Sequence, residues 1–476
     1  MRKIALLSAL ALAAAFPFLS LTACKTKEKG RCRYEIEAEY FAEGRLDGRM
    51  RVTVANNTDN ALSEIPFVLY GNAFREGAKT PPVSDLFSSA CYYDGASYGG
   101  MEVGEVKGAS SWSVEDDGSI LCVSLVKPLY PDESVTLEMD YTLTLANVNH
   151  RLGLGEHCVN LAYFYPLLPA QTDSGFYEYE PSFCGEPFVL DNADICVTLR
   201  LPAGMGAACG GMTAFETEND KTVYRYEGKG VRDAAFVLGD FTLSSAERNG
   251  VQIDYYHFAD EDPASTLEMA CNAIGTYSEL FGNYPYGRFA LAETDLYLGG
   301  MEYSGFAVIS SMLSSAERAE VVAHEAAHQW WYCLVGSDQA ACAWQDEGLA
   351  QYSAALFFEH NPDYGVSYRD LVSSSERAYR SFYSVKSQLS EEVDTGMSRP
   401  LSSFTGDYEY RILAYDKGVI LFDRLRSAMG ERRFFSALEN YAKRYAGKLA
   451  SEYDLMSCFS SQRELILSFT QGRCVI

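Results

Sequence analysis

The sequence predicts an α+β protein in which an all-β, sandwich-like half precedes a mainly helical half. From about residue 32 to residue 258, short runs alternate apolar and polar residues, which is typical of half-buried strands. After about residue 260, apolar residues recur three and four positions apart, which is typical of amphipathic helices. The chain is therefore divided into a β domain at 32–250 and a second domain at 251–476.

In the β half, the alternation is clearest in SVTLEMDYTLTL, residues 134–145. There, one face of the predicted strand carries only apolar side chains: Val135, Leu137, Met139, Tyr141, Leu143 and Leu145. YEIEAEY, MRVTV and DICVTLRLP follow the same pattern, and the turn signals Asn56-Asn57 and Asn249-Gly250 separate such runs. We expect a sandwich or curved sheets. In the second half, ASTLEMACNAIGTYSELFG, residues 264–282, has helical spacing.

The first 24 residues differ from the rest of the chain. Arg2 and Lys3 precede an apolar run that contains Pro17 and ends in small residues, a pattern of export signals. Leu21-Thr22-Ala23-Cys24 resembles a bacterial lipobox, which implies a lipidated Cys24, a tether at 25–31 and attachment to a membrane in the cell envelope, outside the cytoplasm. A plain secretory signal that ends near a cysteine is the alternative.

The net charge of −26 argues against nucleic acid as a partner, because phosphate binding needs a basic surface. None of the 13 cysteines forms a C-x-x-C pair, so the sequence contains no typical cysteine zinc site.

A candidate metal site begins at VVAHEAAHQWWYC, residues 321–333. Ser314 and Glu317 form a potential capping box, and residues 319–334 lack Gly and Pro, so we expect a helix there. His324 and His328 then lie one turn apart on one face, the spacing that two ligands of one metal need. The alternative is two surface histidines on a core helix.

Zinc needs at least a third protein ligand, with one position open for catalysis. Glu347, nineteen residues after His328, begins a second helix-like run that can turn back toward the histidines. Glu325 points about 100° away from His324 around the helix, from where it can act on a reacting water without being a ligand.

Three motifs together resemble the aminopeptidase N family, the gluzincin aminopeptidases: the histidine motif followed by Glu347, LGGMEYSG at 298–305, and AYDKG at 414–418. The resemblance implies a thermolysin-like catalytic domain and one Zn²⁺. It also implies a role for each matching residue: zinc ligands His324, His328 and Glu347; general base Glu325; oxyanion donor Tyr415; binding of the free α-amine by Glu302; and a backbone-binding edge at Gly299, Gly300 and Met301.

Two departures from the family pattern affect the expected specificity. Tyr303 replaces the usual asparagine after Glu302, which leaves the shape of the first side-chain pocket open. A second amine-binding residue from the β domain has no clear counterpart, and Gln171 is only a candidate. The resemblance is to short bacterial lipoprotein forms without the large C-terminal helical domain, so we expect a more open cleft.

The sequence thus predicts a zinc aminopeptidase that acts outside the cytoplasm on peptides with a free N-terminus. One alternative is an endopeptidase that uses the same site. A less favoured alternative is a catalytically idle envelope lipoprotein that binds its partners through a peptidase scaffold.

Overall fold

The computed structural model describes residues 30–474 except 116, 219 and 391. The predicted leader, the lipidation site Cys24 and most of the tether lie outside the described residues. Among the residues that are described, no helix combines the length and the apolar composition needed to cross a bilayer. The twelve cysteines in this part of the chain form no disulfide bonds with one another.

The β half is built from short strands whose buried faces follow the predicted alternation, as in β7, where Leu137, Met139, Tyr141 and Leu143 are buried. In chain order the strands are β1 (Cys32–Phe41), β2 (Arg45–Ala55), β3 (Leu62–Val68), β4 (Gly100–Lys107), β5 (Ala109–Val114), β6 (Ile120–Leu129), β7 (Ser134–Thr144), β8 (Leu152–Leu154), β9 (Val159–Leu161), β10 (Ala193–Pro202), β11 (Gly206–Ala208), β12 (Met212–Glu218), β13 (Lys221–Val231) and β14 (Phe236–Gly239).

Within the described residues these strands form three sheets. The largest has the order β12-β13-β10-β1-β2-β7-β4, the second β11-β14-β9-β8, and the third β3-β6-β5. They share one hydrophobic core, so the β half is a single packed unit. The expected α+β class is confirmed.

Further strands lie in the second half, where the sequence predicted mainly helices: β15 (Thr242–Arg248), β16 (Val251–His257), β17 (Arg288–Thr294), β18 (Gly300–Tyr303), β19 (Phe306–Ser310), and the short pair β20 (Val335–Gly336) and β21 (Lys448–Leu449). The first five form one sheet in the order β15-β16-β17-β19-β18. The predicted boundary between residues 250 and 251 falls in the turn that joins β15 to β16, two neighbours in this sheet. That boundary stays a prediction.

This five-stranded sheet joins the two halves. On β17, Ala290 and Ala292 belong to the core of the β half, whereas Phe289 and Leu291 belong to the core of the helical half. Because both faces are covered, β17 is almost continuously buried and lacks the alternation by which strands were recognised.

The helices pack on the other side of this sheet around the second core. They are α2 (Pro263–Phe281), α3 (Ser315–Ala327), α4 (Gln339–Cys342), α5 (Trp344–His360), α6 (Tyr368–Leu389), α7 (Asp407–Tyr410), α8 (Lys417–Met429), α9 (Glu431–Tyr445), α10 (Glu452–Cys458) and α11 (Arg463–Thr470), with α1 (Ser88–Cys91) in the β half. A π-helical turn, Arg411–Asp416, connects α7 to α8.

Candidate active site

The helix that carries both histidines, α3, begins as predicted. The Ser314 hydroxyl accepts a hydrogen bond from the Glu317 amide, and the Glu317 carboxylate accepts one from the Ser314 amide. This reciprocal capping box confirms the predicted start.

The end of α3 was predicted wrongly, since the helix stops at Ala327 and does not run to residue 334. Directly beyond it, the Trp330 amide bonds to a carbonyl three residues back, and the Cys333 amide bonds to one five residues back. This irregular turn carries Trp330 and Trp331 into the core, and burying two large rings is a tertiary effect with no local sequence signal. His328 is the C-cap but keeps helical angles (φ −61°, ψ −14°), so its relation to His324 survives.

The predicted metal ligands converge on one point. The Nε2 atoms of His324 and His328 lie 3.0 Å apart. An oxygen of Glu347, in the first turn of α5, lies 3.3 Å from the first and 3.4 Å from the second. The ligand atoms of these three buried residues therefore surround a single position.

Contacts behind the ligands fit a metal at that position. His328 Nδ1 lies 2.9 Å from both Asp346 Oδ1 and the Trp331 carbonyl, which are acceptors, so Nδ1 carries the proton. Nε2 then presents its lone pair to the shared point, the orientation that a carboxylate behind a zinc-bound histidine enforces. The Tyr410 hydroxyl donates to Glu347 Oε1 at 3.3 Å and orients that carboxylate in turn. Two imidazoles and one carboxylate are a typical catalytic zinc set.

Two further predicted residues, Glu325 and Glu302, point into the same region. Burial, together with the Glu347 carboxylate, raises the pKa of Glu325 to about 7, the range in which a carboxylate can accept and return a proton at neutral pH. Burial raises the pKa of Glu302 well above its usual value, and one of its carboxylate oxygens lies within 4.8 Å of a His328 ring nitrogen.

The predicted backbone-binding edge also lies beside the triad. β18 is the last strand in its sheet order, so one side of it pairs with β19 and the other faces the cleft. A Cβ atom on Gly300 would lie 2.6 Å from the nearest oxygen of Glu325, so only glycine lets the strand approach this closely. Gly299 and Met301 line the cleft next to it.

Tyr415 is brought to the triad by the π-helical turn. Its ring stacks on that of His324, with centroids 5.6 Å apart and planes 10° from parallel. Burial raises the pKa of its phenol well above the usual value, so the hydroxyl stays protonated and can donate a hydrogen bond. All nine residues that were predicted for this site thus lie together, and their roles stay predictions.

The family assignment follows from comparison with known proteins. A model of the Peptidase family M1 domain matches residues 266–471. The chain is 26% identical over 313 residues to Aminopeptidase M1-B of Oryza sativa subsp. japonica, covering 59% of this chain and 34% of that protein. It is 23% identical over 388 residues to Leucine aminopeptidase 2 of Aspergillus fumigatus, covering 75% and 59%. The chain therefore spans only part of the length of these relatives.

Among solved structures, an M1 zinc metallopeptidase from Deinococcus radiodurans has the same fold, with 19% identity, a TM-score of 0.66, and coverage of 94% of this chain and 95% of that one. Residues 266–471 thus form a domain of the Peptidase M1 family, and the comparisons support an aminopeptidase N-like zinc metallopeptidase. The predicted family and its single zinc ion are confirmed.

The M1 chain holds its site in a cavity of about 700 Å³ between the two halves. One side, the catalytic wall, consists of β18, α3, the start of α5 and the π-helical turn. The other side, the β wall, comes from separate loops of the β half and consists of Tyr70, Phe87, His150, Arg151 and residues 182–187. The sequence predicted no residue of the β wall.

An ion pair lies at the centre of the β wall. Arg151 and Glu186 are both buried and bonded to each other. Burial is the main reason that the pKa of Glu302 is raised, and the nearby Glu186 carboxylate raises it further. Glu186 is therefore a second carboxylate close to the predicted amine-binding residue.

Three other residues of the M1 chain bear on the site, and the first of them, Gln171, is not the second amine-binding residue for which it was a candidate. Gln171 is bonded to the backbone of Ala55 and Asn57 and does not line the cavity. His150, in the loop between β7 and β8, is 2% exposed and lines the cavity. Tyr303 points away from the cavity, since its ring packs between Tyr163 and Phe306, so this departure does not shape the first pocket directly.

Proposed function

We propose that this M1 chain is a zinc-dependent aminopeptidase that removes N-terminal residues from peptides. The observation that carries the proposal is the pair of carboxylates, Glu302 and Glu186, on opposite walls of one cavity beside the metal ligands. An ammonium group is a cation that needs such partners when it leaves water. A carboxylate that captures the N-terminus at a fixed distance from the metal makes the enzyme an exopeptidase.

In this mechanism the substrate is positioned before any bond changes. Its ammonium group binds Glu302, with Glu186 contributing negative charge from the β wall. The peptide backbone lies along the unpaired side of β18 at Gly300 and Met301, adding hydrogen bonds as an extra strand would.

His324, His328 and Glu347 would hold a zinc ion, which would supply a Lewis acid for the substrate carbonyl and a water molecule of lowered pKa as the nucleophile at neutral pH. Glu325 accepts the proton of that nucleophile and returns it to the leaving amine. The Tyr415 hydroxyl donates a hydrogen bond to the carbonyl oxygen as negative charge develops on it.

The test uses the chain from residue 25 onward and one peptide in two forms, free and N-acetylated. Products are followed by mass spectrometry with and without a zinc chelator. We expect stepwise loss of N-terminal residues from the free form only, abolished by the chelator. Internal cuts in both forms would point to an endopeptidase, and intact peptides despite bound zinc would point to a binding lipoprotein.

We further propose that the enzyme acts outside the cytoplasm of a bacterial cell, held to a membrane through lipidated Cys24. The support is the lipobox-like Leu21-Thr22-Ala23-Cys24 after an apolar leader. Labelled palmitate supplied to expressing cells should enter the wild-type protein and not Cys24→Ser, and only the wild type should sediment with membranes. Equal labelling of both proteins would refute the anchor.

A further inference from the structure

The position of the Tyr415 hydroxyl depends on an irregular piece of backbone. Tyr415 lies near the end of the π-helical turn Arg411–Asp416, and α8 begins two residues later. A π-helical turn is wider than an α-helical one and is rarely stable without support from its surroundings. Something outside the turn must therefore hold it in place, and the two residues that open α8 make the relevant contacts.

The first contact is a crossing of two backbones at Gly418 and Gly348. A Cβ atom on Gly418 would lie 2.5 Å from the Cα atom of Gly348. One on Gly348 would lie 3.1 Å both from the Cα atom of Gly418 and from the carbonyl oxygen of Ala414. Gly348 directly follows the metal ligand Glu347, so the helix that provides this ligand touches the helix that follows Tyr415 without a side chain between them.

The second contact is made by the side chain of Lys417, which is completely buried. Its Nζ donates to the carbonyl of Thr395 at 2.6 Å, to the Thr395 hydroxyl at 3.3 Å and to the carbonyl of Phe469 at 3.1 Å. The rings of Tyr379 and Phe469 lie 5.4 and 5.6 Å from it. The ammonium group thus ties the start of α8 to two distant segments, the loop before α7 and the end of α11.

Packing alone does not account for this lysine. Among the ion pairs of the described residues none involves Lys417, so the charge is buried without a carboxylate. Burying such a group costs stability, and an apolar side chain of similar length usually fills a purely structural position better. What lysine provides here is direction, since its three donors fix the end of the side chain on three acceptors at once.

We propose that Lys417 and Gly418 form a latch that positions Tyr415 over the metal ligands. Gly418 sets how close the π-helical turn lies to Glu347, and Lys417 prevents the turn from rotating. This inference rests on the proposed function, in which Tyr415 acts on the developing negative charge. Both latch residues are positioning residues, because neither lines the cavity.

Kinetics on the chain from residue 25 onward, loaded with zinc, give the first test. Because the Tyr415 hydrogen bond acts mainly in the transition state, Lys417→Met should lower kcat about 10- to 100-fold and change KM by less than about twofold, with zinc content unchanged. Gly418→Ala should behave in the same way, and Lys417→Arg, which keeps the cation and its donors, should retain more of kcat. Ile420→Val, a conservative change at another buried residue of α8, is the matched control and should keep wild-type kcat.

A double-mutant cycle separates positioning from a general loss of structure. If the latch acts through the Tyr415 hydroxyl, Lys417→Met should change kcat by less than about twofold in a protein that already carries Tyr415→Phe. An equal loss of kcat in both backgrounds would overturn the proposal, as would a rise in KM at unchanged kcat.

Crystal structures of the metal-free wild type and Lys417→Met provide a readout without activity. The stacking of Tyr415 on His324, 5.6 Å between ring centroids in the wild type, should be lost in the variant. If the stacking is unchanged, the latch is refuted, whatever the kinetics show. A wild type that cuts no peptide would refute the proposed function, and this structural comparison would still decide the latch. If Lys417→Met does not fold, Gly418→Ala takes its place in each experiment.

Discussion

The two walls of the cavity are made in different ways. The catalytic wall takes its reactive groups from short motifs, in which the spacing along one helix places His324 and His328 together and a second helix adds Glu347. The β wall collects His150, Arg151 and Glu186 from loops of the β half that only the folded sheets bring together. The chemistry thus depends on local structure, whereas the selection of substrates depends on how the two halves pack.

This difference predicts that a change in the catalytic wall affects kcat most. Glu325→Gln removes the proposed general base and keeps nearly the same shape, so kcat should fall by about 10³- to 10⁴-fold. Turnover of a free-N-terminus peptide, measured together with the zinc content, tests this. Because Glu325 is not one of the three converging ligands, zinc should stay bound. Substantial residual turnover would mean that another group serves as the base.

The sequence predicted the catalytic wall well for a physical reason. In a helix, residues four apart share a face whatever the rest of the chain does, so His324 and His328 could be paired before the fold was known. The capping box at Ser314 is equally local. The early end of α3 was missed because the burial of Trp330 and Trp331 decides it.

The β wall could not be predicted in this way. Arg151 and Glu186 are 35 residues apart in sequence, and no motif links either of them to Glu302. Strands β17 and β19 were missed because the sheet is covered on both faces and its residues do not alternate. These strands form the seam between the halves, so both the missed sheet and the missed wall belong to the packing of the two halves and not to a local sequence pattern.

The contact between β18 and α3 provides a second test of the catalytic wall. Gly300→Ala would place a methyl group against the Glu325 carboxylate, so kcat/KM should fall about 10- to 100-fold as the base is displaced. Gly287→Ala, at an exposed position where a Cβ atom meets nothing within 4 Å, is the matched control and should leave kcat/KM unchanged. Equal effects of the two substitutions would show that the close approach has no role.

The β wall should affect binding more than chemistry. Glu186→Gln removes negative charge near Glu302, the proposed amine-binding residue, so KM for a free-N-terminus peptide should rise about tenfold with little change in kcat. Glu178→Gln makes the same charge change at an exposed position in the same segment and should leave KM as it is. Because Arg151 loses its partner in the first variant, thermal melting must show that this protein is folded at the assay temperature. A fall in kcat at unchanged KM would assign Glu186 to the chemistry instead.

The smallest effect concerns stability behind the catalytic wall. Burial lowers the pKa of Lys417 to about 8 from the ordinary lysine value of 10.5, so between these two pH values the unfolded chain holds a proton that the folded chain has lost. Stability must then rise with pH across this window, by about 3 kcal/mol in total for a shift of this size. Lys417→Met has no titrating group at this position and therefore lacks this pH-dependent contribution. The free energy of unfolding of the wild type should increase relative to that of the variant between pH 8 and pH 10.5.

Urea unfolding at several pH values under reducing conditions measures this difference. Lys443→Met, at an exposed position on α9, is the control and should follow the wild-type curve. The groups that face Lys417 are the Thr395 and Phe469 carbonyls and the Tyr379 ring, with Asp394, Arg399 and Cys474 acting from farther away. Parallel curves for wild type and Lys417→Met would mean that the ammonium group keeps its proton in the fold throughout. Lys417 would then be a permanent cation, and kcat should stay constant in alkaline solution. If Lys417 loses its proton instead, kcat should decline above pH 8 while the stability of the wild type rises.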